Sequence, residues 1–333
     1  MEHSSSVLAM AGALLLAGGG GSRLDDVTSG GFAERSAAAT WSRPLRTTEQ
    51  TPISRPALAQ GRAEERAAPA PESGRFSLLT YNVAGLPELV SGSDPEVNER
   101  LISPLLNHYD VALVQEDFSY HSLLISRAQH EYRSEPMHSS LALMPDGLNW
   151  FSRFAFGWVH RVRWAQCNGY LGAASDCLAD KGFSFAELTL AQGVTVDVYN
   201  LHAEAGRAPM DIEVRRANYE QLAQYMHTRS RNRAVIVAGD TNLKLSLPRD
   251  GETLEQFLGA TGLSDSCRVF GCAEERLDRV FVRSAAEVEL DVLGWWTDRR
   301  FVDAEGAPLS DHLAVGIELS WHKRAGFDLV AGR

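Results

Sequence analysis

The sequence predicts an α/β domain in which a mixed β-sheet system carries helices on its outer faces. Three observations support this. Short apolar runs alternate with segments of helical spacing along one stretch of the chain. Some neighbouring runs are separated only by turn residues, so hairpins lie among the crossovers. Hydrophobic residues make up 44% of the 333 positions and charged residues 23%, a balance suited to a packed core rather than general disorder.

Order begins at Arg75, where FSLLTYNVAG reads as a strand ending in a turn. From Glu96 to Tyr109 the apolar residues Val97, Leu101, Ile102, Leu105 and Leu106 recur at helical spacing. VALVQED is a short buried strand ending in acids, and SYHSLLISRAQH predicts a second helix. GLNWFSRFAF and WVHRVRWAQC read as strands. FSFAELTLAQGVTVDVYNLHAE is a hairpin turning at Gly193. Asp211 to Thr228 is a long amphipathic helix, AVIVAGDTN another buried strand, and a short helix starts at Leu254–Leu258. RLDRVFVRS, EVELDVLGWW and HLAVGIELSW complete the strands.

The flanks differ in kind. Val7–Ala17 (VLAMAGALLLA) is too short to span a bilayer, but it has the length of a signal-peptide core and is followed by small residues. MEHSSS ahead of it lacks the usual basic residue. Residues 1–17 are expected to be an export leader, 18–74 an Ala/Arg/Pro-rich disordered linker, 75–322 the folded domain and 323–333 a tail. The protein is expected to be secreted or extracytoplasmic, and a monomer by default.

Charge narrows the function. Residues 75–322 hold 22 basic and 34 acidic side chains within a chain of net charge −11. That excludes broad electrostatic clamping of nucleic acid, which needs a basic face. It leaves open an enzyme that reaches phosphate through a divalent metal. The four cysteines form two local pairs, Cys167/Cys177 and Cys267/Cys272. Without CxxC spacing or a histidine cluster they do not suggest zinc, and they are expected to be disulfides of an exported protein.

The chemistry collects at strand ends. Asn82 follows one apolar run, Gln115-Glu116-Asp117 another, Asn200-Leu201-His202 a third and Asp240-Thr241-Asn242 a fourth. Asp278 and Ser310-Asp311-His312 adjoin two more. A single strand ending in a carboxylate means little. Six polar ends point to a site at one edge of the sheets. Glu116 and Asp311 offer hard oxygen ligands suited to Mg²⁺, with Mn²⁺ or Ca²⁺ as alternatives, and Asn82 adds an amide. His202, His312 and Asp240 fit acid–base and phosphate-stabilising work on a phosphodiester.

The ordered set TYN, QE, NLH, GDTN, LDRV and SDH resembles the endonuclease/exonuclease/phosphatase superfamily, with its DNase I-like fold, over 75–322. The resemblance implies a four-layer α/β sandwich of two facing mixed sheets, with a cleft at one edge. It implies metal-side roles for Glu116, Asn82 and Asp311. It also implies a general base in His312 oriented by Asp278, a phosphate donor in His202, and an orienting pair in Asp240 and Asn242. The stretch from Cys167 through Cys177 to Asp180-Lys181-Gly182-Phe183 is similar to the bacterial neutral sphingomyelinases. This implies a phospholipid head-group substrate at a membrane surface, with substrate contacts from Lys181 and an aromatic lipid-penetrating tip at Trp295-Trp296. A DNase I-like nuclease is the alternative. An inositol phosphate phosphatase or a catalytically dead interaction module is less favoured.

Other residues carry blander expectations. Asp117 is read as solvated or helix-capping, and His121 and His138 as surface histidines. Arg215-Arg216 are read as solvated, and Trp150, Trp158 and Trp164 as core or sheet-face residues. Glu204, two residues past His202, shares its face if the strand continues.

Overall fold

A computed structural model describes residues 71–86, 94–137, 144–170 and 176–324. The expected leader, almost all of the linker and most of the tail lie outside the described residues, as does His138. Two six-stranded mixed sheets form the centre.

The first sheet contains β1 (Ser73–Asn82), β2 (Val111–Gln115), β3 (Tyr132–Arg133), β4 (Asn149–Ser152), β11 (Val288–Thr297) and β12 (Val315–Lys323). Its order is β11-β12-β1-β2-β4-β3. The second contains β5 (His160–Arg163), β6 (Gly182–Ala191), β7 (Val194–His202), β8 (Val235–Asp240), β9 (Ser264–Asp265) and β10 (Asp278–Arg283). Its order is β5-β6-β7-β8-β10-β9. In each sheet one central pair is parallel, β1 with β2 and β7 with β8. Their carboxyl ends therefore leave the sandwich on one edge.

Alternation explains the layers. Leu78 of β1 and Ile236 and Ala238 of β8 point between the sheets, joining Leu113, Trp150, Val196 and Val198. Their neighbours face outward. Leu79 and Tyr81 pack beneath α1 (Pro95–Leu105), with Ile102 and Leu106, and beneath α2 (His121–Leu124). Val235 and Val237 pack beneath α3 (Pro209–Arg229) and α4 (Pro248–Thr261), with Tyr219, Leu222, Leu254 and Phe257. Strands buried on both faces read as continuous apolar runs, as β2 and β8 do. The result is the four-layer sandwich that the resemblance implies.

The sequence reading misses several boundaries. Ser73 already pairs with His322, so β1 begins two residues before Arg75. The second predicted helix stops at Leu124. The backbone beyond it is engaged by α1 and the short turn after it: Ser103 Oγ accepts from Arg127 N, and Asn107 bonds both Arg127 O and Gln129 N. Those groups cannot also continue a helix. The helix expected around Leu254 is much longer, starting with Pro248 in its first turn and ending at Gly262, which has φ +69°. A short α5 (Ser266–Val269) follows β9. Both cysteine pairs form disulfides, Cys167–Cys177 and Cys267–Cys272. No helix among the described residues is long and apolar enough to cross a membrane.

Candidate active site

The carboxyl ends of β1, β2, β7 and β8 and the amino end of β10 bring the predicted residues to one edge. Asn82 Nδ2 donates to Glu116 Oε1 (3.0 Å) and to Asp240 Oδ2 (3.2 Å), joining the two sheets. His202 pairs in register with Asp240, and its Nε2 lies 3.3 Å from Asp240 Oδ2 and 3.8 Å from Glu116 Oε1. Asp278 opposes Asp240 across the antiparallel β10–β8 pair. Both Asp278 oxygens face His312 Nδ1, at 3.1 and 2.9 Å, and His312 Nε2 lies 3.6 Å from Asp240 Oδ2. Asn242 N donates to Asp240 Oδ1 (3.0 Å), and its Nδ2 donates to Asp240 Oδ2 (3.2 Å) and Ala203 O (3.1 Å). Asp240 is thus the hub.

Backbone geometry aims these groups. Glu116 and Asn242 both have positive φ, +58° and +50°. Asn tolerates this conformation better than Glu, and each such position costs about 1–3 kcal/mol unless surrounding bonds hold it. They are held. Glu116 O accepts from Gly85 N and Phe118 N, while Asn242 N is tied to Asp240. The bend at Glu116 also ends the strand. Asp117 then turns inward rather than toward solvent, which corrects the expectation for it. It is buried, accepting from Asn149 Nδ2 (2.8 Å) and meeting His121 Nδ1 at 2.5 Å. His121 is accordingly not a free surface histidine.

Asp311 is exposed, with Ser310 Oγ 3.4 Å from its Oδ1. The same hydroxyl donates to Asn82 O (2.7 Å), anchoring the SDH turn beside β1. Below the site, Gln115 Nε2 donates to Asn200 Oδ1 (2.7 Å) and Asn200 Nδ2 to Val114 O (2.9 Å). Asn200 therefore stitches the sheets together and does not line the edge.

Electrostatics follow from this crowding. Burial alone would raise the Asp240 carboxyl, but His312, His202 and Lys181 hold it well below the usual range. Burial disfavours a charged His312, yet Asp278 and Asp240 raise it well above the ordinary imidazole value. Lys181 is buried against Asp176 and stays charged because Asp176, Glu116 and Asp240 outweigh its desolvation.

Asp176 was not singled out by the sequence reading. It lies beside Cys177, so the disulfide pins it near the site, and an acid inside the disulfide loop five residues before Lys181 was the available signal. Burial and Asp176 push the Glu204 carboxyl up to about 9. Glu204 therefore faces the Asp176–Lys181 pair, and its Oε1 accepts from Asn168 N (3.1 Å). Arg215 corrects another expectation. It is fully buried, paired with Asp250 (2.9 and 3.0 Å), and donates to the carbonyls of Glu204, Ala205 and Gly206 just after His202. Arg216 remains on the surface with Glu213 and Glu220.

Trp295 and Trp296 lie within β11, opposite Ile317 and Gly316, and are half-buried. Trp296 stacks on Tyr109 with ring centroids 6.3 Å apart, and Trp295 packs on the core between the sheets. Near the end of β11 but still paired with β12, and turned to opposite faces, they do not form the projecting tip that was expected. Trp150 and Trp164 are core residues, whereas Trp158 is exposed.

The donor set fits a hard divalent cation. Glu116 presents a carboxylate beside Asn82, whose Nδ2 donates to it, and the exposed Asp311 carboxylate lies on the turn anchored to β1. Asp240, Asp278 and His312 also offer ligand atoms within 4.8 Å of one another. In the latter set both carboxylates already face His312, whereas the Glu116 carboxylate has no cationic side chain within hydrogen-bonding distance among the described residues.

A profile of endonuclease/exonuclease/phosphatase family 2 matches residues 94–265. A sphingomyelinase of Mycobacterium tuberculosis is 37% identical over 270 residues, covering 72% of this chain and 51% of the relative. The chain thus spans about half the length of the curated relatives it matches. A Staphylococcus aureus beta toxin mutant with bound magnesium ions superposes with a TM-score of 0.54 at 15% identity, covering 75% of this chain and 100% of that one. D. rerio TDP2 complexed with single strand DNA product gives 0.57 at 17% identity, covering 74% and 98%. These two likenesses concern the fold alone.

Proposed function

Because the chain belongs to the endonuclease/exonuclease/phosphatase family, we propose that it is a Mg²⁺-dependent phosphodiesterase that hydrolyses the head group of sphingomyelin or a closely similar phospholipid at a membrane surface. The relative at 37% identity supports that substrate. The observation that carries the chemistry is the Asp278–His312–Asp240 line beside Glu116 and Asn82.

Each residue's role follows from its surroundings. His312 accepts the proton of the attacking water. Asp278 fixes its Nδ1 and stabilises the imidazolium that results from the proton transfer. Asp240 and Asn242 orient the water and a phosphate oxygen. His202 donates to the phosphate from the opposite side, with its backbone held by Trp164 Nε1 on its carbonyl (2.8 Å). Lys181 lends positive charge from behind. Glu116 and Asn82, with Asp311, would hold the metal, which when bound supplies Lewis-acid stabilisation of phosphate charge. The expected leader and the two disulfides together support an extracytoplasmic location.

The test is to assay the purified full chain with Mg²⁺ on sphingomyelin vesicles and on plasmid DNA, with and without EDTA. Phosphocholine release that EDTA abolishes and Mg²⁺ restores is expected. Nicking without phosphocholine release would transfer the reading to the nuclease alternative.

A further inference from the structure

Lys244 lies two residues past Asn242, in the loop that follows β8, and is 9% exposed. Its Nζ donates to the Asn242 carbonyl oxygen (3.2 Å) and reaches Asn242 Oδ1 (3.4 Å). The other end of the same side-chain amide faces acceptors only, Asp240 Oδ2 and Ala203 O. A side-chain amide has two orientations, related by a half-turn. In one, its oxygen meets an ammonium and its NH₂ meets a carboxylate and a carbonyl. In the other, NH₂ is pressed against the ammonium and the oxygen against two acceptors. The two acceptors favour the first orientation from one end of the amide, and the ammonium reinforces it from the other.

Lys244 is itself held in place. Its backbone N donates to Asp250 Oδ2 (3.0 Å), and Asp250 also receives the buried Arg215. Arg215 grips the segment after His202, so the loops carrying His202 and Asn242 share one anchor. Burial, with Arg215 nearby, pushes the Lys244 ammonium down to about 8, which leaves it mostly charged at neutral pH.

Resting on the phosphodiesterase reading above, we propose that Lys244 is a positioning residue: through Asn242 Oδ1 it locks the Asn242 amide with Nδ2 toward Asp240, and it does not touch substrate. The reaction then depends on Lys244 only by way of Asn242.

The experiment compares Lys244→Met, Lys244→Arg, Asn242→Ala and the Lys244→Met/Asn242→Ala pair in the full chain, on sphingomyelin vesicles with Mg²⁺. Misplacing a reacting group can cost on the order of 10²-fold, so Lys244→Met is expected to lower kcat by about that factor with KM little changed. Lys244→Arg, which keeps the charge, should recover most of the loss. In the Asn242→Ala background, Lys244→Met should cost less than about threefold, because contacting residues couple. A loss expressed in KM would mean direct substrate contact and overturn the proposal. So would full additivity in the pair. If Lys244→Met fails to fold, a folded Lys244→Arg with a hundredfold loss overturns it equally.

A readout without substrate separates this proposal from the functional reading. With selective ¹⁵N-Asn labelling, the Asn242 side-chain NH₂ resonances should move in Lys244→Met and return in Lys244→Arg. Unmoved resonances sink the positioning role even in an active enzyme. Moved resonances in a protein inactive on sphingomyelin uphold the contact and place the failure in the substrate reading.

Discussion

Replacing Asp278 with Asn isolates the charge behind the proposed base. The two Asp278 oxygens lie 3.1 and 2.9 Å from His312 Nδ1, and the residue is buried. The amide keeps the shape and removes the anion. A hydrogen bond to a charged partner is worth about 1.5–3 kcal/mol, so kcat/KM on the preferred substrate should fall roughly 10- to 150-fold. The pH profile should also shift. Asp278 and Asp240 raise His312 against the opposing effect of burial. Removing Asp278 lowers it, and the acid limb of kcat/KM should move to lower pH. Stability should respond with a matching sign. A histidine raised on folding contributes stability that is fully present below its unfolded value, about 6.5, and is lost as pH rises through the raised folded value. The Tm gap between wild type and Asp278→Asn should therefore be widest below about pH 6.5 and shrink above it. The assay is a pH series of initial rates and melting curves on both proteins. An unshifted acid limb with an unchanged rate would refute the reasoning.

Two further outcomes follow from packing. Arg215→Met should cost about 3–5 kcal/mol by stranding buried Asp250, a fall of roughly 10 °C in Tm by calorimetry, and an unchanged Tm would contradict the buried clamp. Trp296→Ala should lose about 2 kcal/mol with its Tyr109 contacts while leaving vesicle binding intact. A selective loss of vesicle binding would restore the lipid-contact role for this residue.

Much of the site was legible in the sequence because several of its main residues end an apolar strand, and adjacent parallel strands deliver such ends to one edge. Asn82, Glu116, His202 and Asp240 converge for that reason. What stayed hidden depends on partners distant in sequence. Arg215 looks like an ordinary helix-surface residue until Asp250, 35 positions on, is brought beneath it. Asp117 reads as solvated until Asn149, 32 positions on, closes over it. Trp295 and Trp296 suggested a tip because local spacing says nothing about how far β11 continues beside β12. The truncated second helix has the same origin, since Ser103 and Asn107 take up the backbone groups that would have extended it.

The central claim, that this strand edge hydrolyses a phosphodiester with His312 as its base, is tested most directly by the rate of His312→Ala relative to wild type on sphingomyelin vesicles with Mg²⁺, at matched folded fraction. General acid–base catalysis contributes on the order of 10²–10⁴-fold, and a loss of that size is predicted. A folded variant that retains wild-type activity would contradict the account.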